Sequence, residues 1–105
     1  MLTDQLRQKI ETDIKSNKVV IFMKGTPEAP MCGFSGRAVE IMRSYNVPIK
    51  GINILEDEDL RQGIKEFTNW PTVPQIFING EFVGGCDIIT EMHANNEIAP
   101  LLKSS

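Results

Sequence analysis

Leu2, Leu6, Ile10 and Ile14 recur every fourth residue through a stretch otherwise rich in Gln, Glu, Lys and Asp. This spacing predicts an amphipathic helix with a narrow apolar stripe, and Thr3 or Asp4 is suited to cap it. Lys18 to Met23 is a β-branched apolar run with no period of 3.6, as expected of a strand covered on both faces and central in its sheet. A loop from Lys24 to Met31 follows. Phe34, Ala38, Ile41, Met42 and Tyr45 then fall on one helical face, so a second helix is predicted to begin near Cys32 and to stop at Asn46. Pro48 to Ile54 alternates apolar and polar positions and reads as a short strand. Leu60, Ile64 and Phe67 give Asp57 to Phe67 a helical period. Strand, helix, strand, helix in that order predicts a parallel βαβ core.

The pattern then changes. Gln75 to Ile78 and Glu81 to Val83 flank Asn79-Gly80, the dipeptide that best fits the positive-φ positions of a two-residue hairpin turn, so these strands are predicted to be antiparallel. Gly84-Gly85 breaks the second strand. A helix from Asp87 to Ala94 carries Ile88, Ile89 and Met92, and a last short one carries Ile98, Leu101 and Leu102. The expected fold is α/β, a four-stranded mixed sheet with helices on both faces.

The chain has 105 residues, 41% of them hydrophobic, with neither repeat nor low-complexity linker, and so one domain over residues 1–105 is expected. The longest apolar run, Val19 to Met23, is far short of the about 20 residues of a membrane span, and the first residues carry no export or transit pattern. A soluble, cytoplasmic protein is expected, or one of the mitochondrial matrix if this is a processed eukaryotic form. The net charge of -3, without a Lys/Arg block, argues against nucleic acid. Two cysteines, Cys32 and Cys86, and one histidine cannot build a four-ligand zinc site, so any thiolate-bound metal must borrow ligands.

The chemistry centres on Cys32. A thiol at the start of a helix that follows a buried strand meets unpaired N–H groups and the helix dipole, with the Lys24 cation on the same rim; each favours the thiolate. Three residues on, where a redox pair would carry its second thiol, stands Ser35, so no internal disulfide can close there. Other residues read two ways. Asp87 either holds a ligand cation or caps its own helix. Arg61 and Lys65 share a helical face and could hold a carboxylate, though Asp57, four residues before Arg61, could equally pair with it. Cys86 reads as a small buried thiol or as a competing ligand, and Trp70-Pro71 as a packed turn or a ligand contact. His93 is expected to be exposed and idle rather than a metal ligand.

Met23-Lys24-Gly25-Thr26-Pro27, Cys32-Gly33-Phe34-Ser35, Trp70-Pro71-Thr72-Val73-Pro74-Gln75 and Gly84-Gly85-Cys86-Asp87 stand in an order and spacing that resemble the monothiol glutaredoxins of the CGFS class, over residues 4 to 103. The resemblance implies a thioredoxin-like fold with Val73-Pro74 in cis. It implies a glutathione-binding [2Fe-2S] cluster carrier in iron-sulfur protein assembly, the cluster held between the two subunits of a homodimer by Cys32 of each and two glutathiones. Lys24, Arg61, Lys65, Thr72, Val73, Cys86 and Asp87 become the expected glutathione contacts, Val73 through its backbone, and Cys32 the redox-active and metal-ligating residue. A BolA-type protein and recipient apo iron-sulfur proteins are the partners so implied. Two rival readings stand beside it: a weak glutathione-dependent thiol-disulfide oxidoreductase acting through Cys32 alone, and an adaptor without chemistry.

Overall fold

The computed structural model describes residues 2–103. Its elements run α1 (Asp4–Ser16), β1 (Val19–Met23), α2 (Gly33–Arg43), β2 (Ile49–Asn53), a 3₁₀ turn at Ile54–Glu56, α3 (Glu58–Thr68), β3 (Gln75–Ile78), β4 (Glu81–Gly84), α4 (Cys86–Ala94) and α5 (Ile98–Lys103). The strands form a mixed sheet in the order β2-β1-β3-β4, β1 parallel to β2 and antiparallel to β3.

All five residues of β1 are buried, as the unbroken apolar run predicts, and the pleat sends alternate side chains to opposite faces. Val19, Ile21 and Met23 pack with Ala38, Val39, Ile41 and Met42 of α2, Ile89 of α4 and Ile98 of α5. Val20 and Phe22 pack on the other face with Ile10 and Ile14 of α1, Leu60 and Ile64 of α3, and Phe77, whose ring meets Phe22 edge-on at 5.6 Å. The helices on both faces are therefore required by β1 itself.

Caps and turns follow local chemistry. Thr3 Oγ1 accepts the Leu6 N–H at 3.1 Å at the head of α1, and Asp57 Oδ1 accepts the Leu60 N–H at 3.1 Å at the head of α3. Asn79 and Gly80 take φ of 52° and 83°, the pair of positive values that a tight hairpin needs. In the hairpin Phe77 pairs with Phe82 but Ile76 with Gly84, so Val83 is one extra residue, a bulge in β4.

Two boundaries differ from the sequence pattern. α2 ends at Arg43, and Asn46, in the left-handed region at φ 56°, follows as the turn residue. Tyr45 thus leaves the helix although it continues the apolar stripe. The 3₁₀ turn after β2 is a second departure: Asn53 Oδ1 accepts both the Leu55 N–H and the Gly25 N–H at 3.0 Å, tying this turn to the loop after β1. That loop closes on itself through Met31 N–H to Lys24 O at 2.9 Å, with Gly25 at φ 90°. Its Pro27 ring lies where a Cβ on Gly51 of β2 would fall.

Gly51→Ala should therefore push Pro27 out of place and destabilise the fold by about 1–3 kcal/mol, the usual cost of overpacking. A urea midpoint equal to that of the wild type would show that the loop gives way freely.

Candidate functional site

Cys32 is the N-cap of α2, half-buried, in extended backbone geometry. The first helical bond runs from Gly36 N–H to Cys32 O at 2.9 Å, so the N–H groups of Gly33, Phe34 and Ser35 have no intrahelical acceptor. The sulfur closes no formal cap hydrogen bond, and these groups act on it as nearby dipoles. The Ser35 N–H is the largest influence holding the thiol below its ordinary range. Phe34 N–H, the Lys24 ammonium and the Ser35 hydroxyl add to it, against a desolvation that acts the other way. Lys24 thus plays the part the sequence assigns it, with the helix N–H groups ahead of the cation. Met31 and Phe34 flank the thiol at 70% and 64% exposure, an apolar collar on a rim where such side chains ordinarily turn inward.

Two adjoining cavities share Thr72 and Val73. One, of about 220 Å³, gathers Lys24, Arg61 and Lys65 with Ile54 and Pro71. The other, of about 250 Å³, is lined by Phe34, Trp70, Pro74, Cys86, Asp87 and their neighbours. All seven residues expected to hold a ligand line one or the other of these adjoining cavities, which together form the groove; Cys32 lines neither, and the start of α2 reaches the second through Phe34. Val73-Pro74 is cis in its wall. A broader open recess of about 850 Å³ between the end of α1, the β3–β4 hairpin and Leu101 includes neither cysteine and none of these residues.

Several double readings resolve. Asp57 spends Oδ1 on the cap of α3, whereas Arg61 lines the cavity with its Nε buried and without a hydrogen-bond partner. The N-cap of α4 is Gly85, so Asp87 does not cap its helix but stands exposed in the first turn. The first backbone bond there is Ile89 N–H to Gly85 O at 3.0 Å, which leaves the N–H groups of Cys86, Asp87 and Ile88 without intrahelical acceptors. Cys86 is half-buried, its sulfur 3.9 Å from Thr90 Oγ1. The Trp70 ring meets Phe82 edge-on at 5.7 Å and also lines the second cavity. A side chain on Gly85 would crowd Trp70 Nε1 and Pro74 O, each 3.3 Å from the Cβ position.

The family model for glutaredoxin matches residues 19–83 of this chain. The chain is 54% identical over 101 residues to monothiol glutaredoxin-S15, mitochondrial, of Arabidopsis thaliana, covering 96% of this chain but only 60% of that protein. It is 50% identical to the probable monothiol glutaredoxin 2 of Rickettsia typhi over 98% of this chain and 93% of the relative. This chain belongs to the monothiol glutaredoxins. Among solved structures, reduced apo GrxS14 of poplar superposes with a TM-score of 0.84 at 48% identity, over 93% of this chain and 90% of that one. A buckwheat glutaredoxin-glutathione complex superposes with 0.80 at 27% identity, over 91% and 86%. The thioredoxin-like glutaredoxin fold read from the motifs is thus the fold of the chain.

Two features of this monothiol glutaredoxin escape the sequence reading. His93 is not exposed and idle: it is half-buried, with Nδ1 2.6 Å from the Tyr45 hydroxyl, in a contact that joins the ends of α2 and α4. It takes no part in the groove. Gln75, fully buried, donates through Nε2 to Trp70 O at 3.0 Å and Thr72 O at 3.1 Å, and its Oε1 accepts from Thr68 Oγ1 at 2.8 Å. One amide thereby holds the segment that carries the groove wall. A polar residue opening an otherwise apolar strand, QIFI, is the signal that could have found it.

Gln75→Leu should leave two carbonyls unpaired and cost about 1–3 kcal/mol. The single tryptophan, Trp70, reports on the same segment. Its emission should shift to the red in the folded variant, and an unchanged spectrum would show that the wall holds without the amide.

Proposed function

We propose that the chain binds glutathione in the groove and carries a [2Fe-2S] cluster as cargo between two subunits, for delivery to apo iron-sulfur proteins. The observation that carries the reading is a single activated thiolate at the rim of a groove whose two ends differ in charge. Glutathione is an extended tripeptide with a carboxylate at either end and an ammonium at one. The Lys24, Arg61 and Lys65 pocket suits the glycine carboxylate. The Cys86 and Asp87 N–H groups suit the γ-glutamyl carboxylate, and the Asp87 carboxylate suits its ammonium. Between them the backbone of Val73 pairs with the cysteinyl unit as a strand would, Thr72 flanking it, and this leaves the glutathione thiol beside Cys32. The buckwheat glutaredoxin-glutathione complex, a structural neighbour, supports this choice of ligand.

The ligand count follows. A [2Fe-2S] cluster is held by four thiolates. Among the described residues no three His, Cys, Asp or Glu side chains gather as a metal site, and Cys32 offers one sulfur per chain. Two chains about a twofold axis and two glutathiones complete four. The exposed collar of Met31 and Phe34 suits the second copy, or a BolA-type protein in its stead, since an apolar rim gains by burial. The cytoplasm is the proposed compartment, and the mitochondrial matrix for a processed eukaryotic form, the name of the Arabidopsis relative carrying the word mitochondrial.

The lowered thiol pKa also suits a second, weaker activity. In it the Cys32 thiolate attacks the glutathionyl sulfur of a mixed disulfide and expels the protein thiolate. A second glutathione thiolate then releases Cys32 with formation of glutathione disulfide.

Anaerobic reconstitution with iron, sulfide and glutathione, followed by visible absorption and sedimentation, tests the cargo. Cys32→Ser should abolish the spectrum and the dimer together, Cys86→Ser should keep both, and removal of glutathione from the wild type should release cluster and dimer in step. A cluster that survives loss of glutathione yet vanishes in Cys86→Ser would assign the second thiolate to Cys86. In the apoprotein, Arg61→Ala should weaken glutathione binding roughly tenfold, as for loss of one charge-assisted hydrogen bond, and less at high salt. Equal calorimetric affinity at low salt would remove Arg61 from the groove.

A further inference from the structure

The end of the groove that gathers Lys24, Arg61 and Lys65 holds more positive charge than one carboxylate answers. No acidic side chain lines this cavity of about 220 Å³, whose remaining walls are Ile54, Pro71, Thr72 and Val73. Elsewhere on the described surface Lys9, Arg37 and Arg43 are neutralised in ion pairs with Asp13, Glu40 and Glu28. Lys24, Arg61 and Lys65 form no such pair among the described residues. Asp57, one turn before Arg61, gives its Oδ1 to the cap of α3, and Arg61 Nε is buried without a hydrogen-bond partner. Three like charges held together in a chain of net charge -3 repel one another, and an anion among them relieves that repulsion. The glycine carboxylate of glutathione brings a single charge. Lys24 also acts on the Cys32 sulfur, yet Arg61 and Lys65 alone still leave one charge in excess. A tetrahedral dianion answers the set more fully, with two charges and several oxygens for one guanidinium and two ammonium groups.

We propose that this pocket takes a tetrahedral dianion of the phosphate class when glutathione is absent, and that the anion competes with glutathione and so sets how readily the groove is loaded. The anion is bound and released unchanged. The competition rests on the glycine carboxylate being held here, as in the function proposed above; the anion site rests only on the cavity and its three cations.

The test uses reduced apoprotein at slightly alkaline pH, where phosphate is a dianion, and at constant ionic strength with chloride as the control, since screening alone weakens every charged contact. Without glutathione, inorganic phosphate should move the Arg61 Nε–H resonance saturably, and chloride should not. Glycerol phosphate forms a second arm: saturation by either supports the site, and the tighter of the two tells a free ion from an esterified group. Calorimetry of glutathione in phosphate at about ten times the phosphate Kd should give an affinity about tenfold lower than in chloride, the factor of simple competition. Lys65→Ala should weaken glutathione about threefold and phosphate about ninefold, because Coulomb energy scales with the charge of the ligand. An Arg61 resonance that answers both phosphates no more than chloride overturns the site, whatever glutathione does. Saturation at Arg61 with unchanged glutathione affinity overturns the competition, and with it the placement of the glycine carboxylate. Equal losses in Lys65→Ala overturn the charge excess, and the wild-type arms decide the site and the competition without that variant.

Discussion

Burial of β1 on both faces is the constraint from which the architecture descends. Five apolar residues in succession cannot stand at the edge of a sheet or with one face in water, so neighbours must pair on both sides and helices must cover both faces. β2 and β3 supply the pairing, α1 and α3 one cover, and α2, α4 and α5 the other. The strand then has to stop where the chain reaches Lys24, whose charge belongs at a rim. That stop decides where the loop begins and, eight residues on, where Cys32 opens α2.

The groove assembles segments far apart in the chain: the end of β1, the start of α2, the turn at Ile54, α3, the turn before β3 and the start of α4. None of them is a binding element alone. Three cations gather at one end because Lys24 directly follows a strand and Arg61 and Lys65 come from successive turns of one helix; a free helix N-terminus lies at the other end. The wall between them is held from behind by the Gln75 amide, so a residue with no access to ligand governs the backbone that a ligand would meet. Burying that amide is tolerable only because each of its polar atoms has a partner.

The thiol end follows the same economy of few groups with several tasks. Asn53 Oδ1 serves two backbone N–H groups and couples the loop after β1 to the turn after β2, and Pro27 rests on Gly51 in the same corner. Ser35 joins the strand end to the helix start behind Cys32. Such shared anchors leave the thiol on a rigid base although Met31 and Phe34 beside it are open to solvent.

Periodicity and turn chemistry are local properties, and what they determine was legible without coordinates: the order of strands and helices, the two-faced burial of Val19 to Met23, the Asn79-Gly80 hairpin, a cap for α1 at Thr3 or Asp4, and a thiol poised at a helix start without a second thiol behind it. The motifs at 23–27, 32–35, 70–75 and 84–87 carried the family as well. What remained open were choices between partners. Arg61 could face Asp57 or a ligand carboxylate, and Asp87 could cap its helix or hold a ligand cation, while the departure of Tyr45 from α2 to meet His93 was not read at all. Each choice depends on which side chain of another element lies within about 3 Å, the reach of a hydrogen bond. Only the tertiary structure decides it, because the competing partners are equally close along the chain and are separated only by how the sheet and its helices pack.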